Sequence, residues 1–79
     1  MIKLVLQSSN KDHAIYNYHP DGGEDFGVIE YLFANNVRNI LQKAECDDTG
    51  LYARMSSSKI EKTIKAEKAL PLEFMQTSF

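Results

Sequence analysis

Val37-Arg38-Asn39-Ile40-Leu41-Gln42-Lys43-Ala44 is the stretch on which the fold turns. Val37, Ile40, Leu41 and Ala44 match helical spacing, and Asn36 stands in front of them as a cap. Arg38, Leu41, Gln42, Lys43 and Ala44 also favour the helix intrinsically, because their side chains lose little freedom in it. The same stretch follows Ala34-Asn35-Asn36, a turn sequence in which asparagine tolerates the left-handed region. After such a turn it suits a fourth strand in a meander. The helical reading gives a βββαα chain. The strand reading gives a four-stranded antiparallel β-meander with one C-terminal helix packed on it.

The segments upstream are strands. Ile2, Leu4 and Leu6 alternate with Lys3, Val5 and Gln7, a period of two with one strongly apolar face. Ser8 to Asp12 is a polar turn. His13 to His19 carries Ala14, Tyr16 and Tyr18 on one side and Ile15 on the other, and Pro20 ends it because proline cannot donate to a ladder. Asp21-Gly22-Gly23-Glu24-Asp25 is the strongest turn signal in the chain. Phe26 to Phe33 then carries apolar residues on both sides, as in a strand near a sheet centre.

The segment downstream, from about Thr49 to Lys68, is a helix. Asp47, Asp48 and Thr49 can accept the free N–H groups of its first turn, and their charge suits the positive end of the helix dipole. At about 100° per residue, Tyr52, Ala53, Ser56, Ile60, Thr63 and Ile64 fall on one side. Arg54, Lys62, Lys65 and Lys68 gather on the other. Pro71 stops the helix and leaves Leu70 extended. The apolar stripe is narrow, so this helix needs a surface to cover. Leu72 to Phe79 is a tail whose Phe74, Met75 and Phe79 are too apolar for a free end; an extended segment against the core or a sheet edge is expected.

Composition bounds what the chain can be. Its 79 residues suit one domain, residues 1–79, with a thin core. Nine basic residues against eleven acidic ones give a net charge of -2, which speaks against a dedicated nucleic-acid binder. The apolar run at Met1–Leu6 is too short for a signal peptide, and no stretch is long enough to span a bilayer. The lone Cys46 fits a reducing compartment. A cytoplasmic location without membrane contact is therefore expected.

Three groups of residues resemble a loose pattern in small uncharacterised bacterial proteins. They are Tyr16-Asn17-Tyr18-His19-Pro20, Gly27-Val28-Ile29-Glu30, and the run Asp47-Asp48 into Tyr52-Ala53 and Lys59-Ile60-Glu61. The pattern covers most of the chain after Asn10. The resemblance implies a strand meander followed by a C-terminal helix, and implies no function. It decides Val37–Ala44 in favour of the strand, so the expected fold is α+β.

Residues with chemical capacity are present without a chemical pattern. His13, His19, Asp12, Asp21, Asp25 and Cys46 can ligate metals, but none has zinc-site spacing. His13 and His19 lie six residues apart, roughly 20 Å along an extended chain. The Asp21–Asp25 loop lacks the alternating ligands and distal Glu of an EF-hand. Cys46 stands near the helix start, where a thiol can be activated, yet no base is placed beside it; a half-buried structural cysteine is expected. Tyr16, Tyr18, Tyr31 and Phe33 are the candidate binding residues, as a stacking platform for single-stranded nucleic acid. Against that, aromatics in strands usually pack on one another and on a covering helix.

No catalytic residue, metal ligand or cofactor is therefore expected. The functional expectation is a non-catalytic protein-interaction module whose partner is itself, as a homodimer, or another protein. A weak single-stranded nucleic-acid binder is the second expectation, and a small enzyme or accessory subunit the third.

Overall fold

The computed structural model describes residues 2–67 and 70–76. Strands β1 (Ile2–Ser9), β2 (His13–His19), β3 (Gly27–Leu32) and β4 (Val37–Gln42) form the expected meander, and helix α1 (Leu51–Glu67) follows. The segment that decides the fold is a strand. Val37 pairs with Leu32, Asn39 with Glu30 and Ile40 with Ile29, so pairing with a formed neighbour outweighs the intrinsic helical preference. The helix starts two residues later than expected, and its expected end at Lys68 lies outside the described residues.

The tail takes the second of its two expected places, a sheet edge, and adds a strand to the meander. Glu73–Gln76 is a fifth strand, β5, antiparallel to β1, and the sheet order is β4-β3-β2-β1-β5. Leu6 N–H donates to Leu72 C=O at 2.8 Å just before it. A bare edge on β1 is a row of unpaired backbone groups, and the tail satisfies it. The expected tail end at Phe79 lies outside the described residues.

The connections follow their local chemistry. Asn10 Oδ1 accepts the amides of Asp12 and His13 at 2.7 and 2.9 Å, which closes the β1–β2 turn. Asn36, at φ 55°, takes the left-handed conformation that turns the chain into β4.

α1 covers one face of the sheet. Ile2, Leu4, Ala14, Tyr16, Tyr18, Ile29 and Tyr31 point toward it, and Ala53 and Ile60 meet them. The stripe read from the sequence is the buried one, with Tyr52 and Ile64 at its margins, while Arg54, Lys62 and Lys65 face solvent. Ser56 is also buried there, and its Oγ has no hydrogen-bond partner among the described residues.

One position in the core is fixed by shape. Gly27 pairs with Tyr18 across β2 and β3. A Cβ on Gly27 would enter the Tyr18 ring and lie 2.5 Å from the Gln42 carbonyl oxygen. The bare glycine lets the aromatic ring lie flat over the neighbouring strand, a device that also pins the register. Gly27→Ala is expected to destabilise by about 1–3 kcal/mol through overpacking. Gly23→Ala, where an added Cβ meets nothing within 4 Å, is expected to change stability by about 0.5 kcal/mol or less, as at an open surface site. Chemical denaturation of the two variants checks this, and equal losses would contradict it.

Candidate functional site

Two acidic residues organise the end of the sheet where β2, β3 and the helix start meet. Asp47 is buried, at 2% exposure. Its Oδ1 accepts Tyr52 N–H at 3.1 Å, and its Oδ2 accepts Ala53 N–H at 2.9 Å. Oδ2 also accepts the Tyr18 hydroxyl at 2.7 Å, and Ala44 N–H donates back to the Tyr18 oxygen at 2.9 Å. One carboxylate thus caps the helix and holds the central aromatic of β2. Burial first, with Asp47 adding to it, pushes the Tyr18 hydroxyl well above its ordinary range. The phenol stays neutral and donating, which excludes it as a base at neutral pH.

Asp25 repeats the arrangement at the surface. Its two oxygens accept Glu45 N–H and Cys46 N–H, each at 2.9 Å, so it staples the β2–β3 loop to the segment before α1. Hydrogen bonds from the Cys46 side chain and from the Cys46 and Glu45 amides lower the Asp25 pKa.

Cys46 is exposed, which corrects the expected half-buried position. Its backbone N–H is spent on Asp25, so the side chain is held at the rim of the loop and does not pack inward. The thiol is pushed up to about 11, chiefly by its hydrogen bond to Asp25. Proximity to the helix start therefore does not activate it, because the nearest charge is a carboxylate.

Beside this staple lies an open concavity of about 380 Å³ lined by Glu24, Asp25, Phe26, Gln42 and Glu45. Asp25 has both oxygens occupied, and no nucleophile–base pair lines the hollow. His19 sits nearby, with Nδ1 2.7 Å from Gly23 C=O and its ring 5.6 Å from Phe26. Among the described residues no group of three or more His, Cys, Asp or Glu is placed to hold a metal ion.

The candidate stacking residues are placed differently from an exposed platform. Tyr16 and Tyr18 are 0% exposed and Tyr31 is 1% exposed, all beneath α1; Phe33 is half-buried against Tyr31. Buried rings offer no face to a base, so they do not form the single-strand platform expected of them. Sequence parity put Tyr16 and Tyr18 on one face correctly. It could not say that the helix covers that face.

The other face of the sheet carries no layer among the described residues. Val5, Ile15, Val28 and Leu32 lie there, each half-buried. At its centre Glu30 Oε2 lies 3.2 Å from His13 Nδ1, and Asn39 Nδ2 donates to Glu30 Oε1 at 3.2 Å. His13 and His19 are both on this side and share no ligand. No described helix is long and apolar enough to cross a membrane. Compared with models of protein families, with curated proteins and with solved structures, the chain matches none.

Two outcomes follow from the Asp25–Cys46 pair. Cys46 in the folded protein is expected to react with iodoacetamide at pH 8 far more slowly than in the unfolded chain, because only the thiolate attacks. Asp25→Asn is expected to speed that reaction, and an unchanged rate would show that Asp25 does not control the thiol.

The second outcome is a pH dependence. The folded pKa of Asp25 is depressed. Its stabilisation is fully present above the ordinary carboxylate pKa and is lost as pH falls through the depressed value. Denaturation midpoints of wild type and Asp25→Asn should therefore differ near neutrality and converge in acid; a difference that grew with acid would reverse the sign.

Proposed function

We propose that this chain is a non-catalytic protein-interaction module of the cytoplasm, working through the uncovered side of its sheet and able to associate with itself. The observation that carries the reading is the one-sided layering. A single helix covers the tyrosine face, and Val5, Ile15, Val28 and Leu32 stand on the other, interspersed with Asn17 and the His13–Glu30–Asn39 cluster. Mixed apolar and hydrogen-bonding surface of this kind matches the composition of protein interfaces. The hydroxyls and carboxylates near the helix start are committed to one another, which supports a structural role for them.

Affinity capture from native lysate tests the reading, with the wild-type chain and an Ile15→Glu/Val28→Glu variant compared before and after nuclease treatment. Capture of a defined protein that survives nuclease and is lost in the variant is the expected result, with circular dichroism confirming that the variant folds. Capture that disappears with nuclease would support single-stranded nucleic acid in place of protein. Equal capture by both chains would remove the open face from the proposal.

A further inference from the structure

We draw no further inference here: the strongest candidate, the open hollow lined by Glu24, Asp25, Phe26, Gln42 and Glu45 between the β2–β3 loop and the segment before α1, is an acidic cluster beside one exposed ring, and nothing in the structure shows what fills it.

Discussion

Three buried phenol groups are the constraint to which this structure answers. Tyr16, Tyr18 and Tyr31 fill the space between sheet and helix, and each brings a hydroxyl that must keep a partner out of water. An unpaired buried hydroxyl costs about 1–3 kcal/mol, a sizeable part of the stability of a small domain. Each is satisfied by a connection and not by another core side chain. Tyr16 donates to Pro71 C=O after the helix, Tyr18 to Asp47 before it, and Tyr31 to Asn36 in the β3–β4 turn. Burial pushes the Tyr16 hydroxyl up to about 12, so it remains a donor throughout the ordinary pH range. The core therefore holds the loops, and the loops complete the core.

That arrangement explains which parts of the fold were legible. The alternation in Ile2–Gln7 and His13–His19 reports a backbone period of two, and the spacing of Tyr52, Ala53, Ser56, Ile60 and Ile64 reports a helical face. Both are local properties, and both match the structure. Val37–Ala44 was ambiguous because its residues serve either period; in the structure pairing with β3 makes Val37–Gln42 a strand, and pairing is not local. The tail was legible as an extended segment against the core or a sheet edge, and which of the two was undecided for the same reason. A short segment after Pro71 becomes a strand because β1 offers an edge.

The candidate site was less legible. β3 is apolar on both sides, so nothing in it says which side the helix will cover, and the tyrosines could be read as platform or as core. Asp47 was recognisable as a capping residue, but its second role depends on Tyr18, which lies 29 positions away in sequence. The Asp25–Cys46 contact likewise joins two loops that only the fold brings together. Glycine at position 27 carried a signal that parity reading overlooks. A glycine opening a strand of otherwise bulky residues marks a place where something large lies across it, here the ring of Tyr18.

The placement of β1 has a kinetic consequence. β1, β2, β3 and β4 join through short turns, so each pairing closes a short loop and forms early at little entropic cost. The β1–β5 ladder is different in kind: Ile2 faces Gln76, and the whole meander and helix lie between them along the chain. Closing that loop is worthwhile only once the helix has set Pro71 against Tyr16 and brought the tail alongside β1. During folding, the outer edge of the first strand thus stays bare until the tail arrives. Lys3, on that strand and in the finished fold with its Nζ 3.7 Å from Glu73 Oε1, supplies the charge that keeps such an edge from pairing with a stranger.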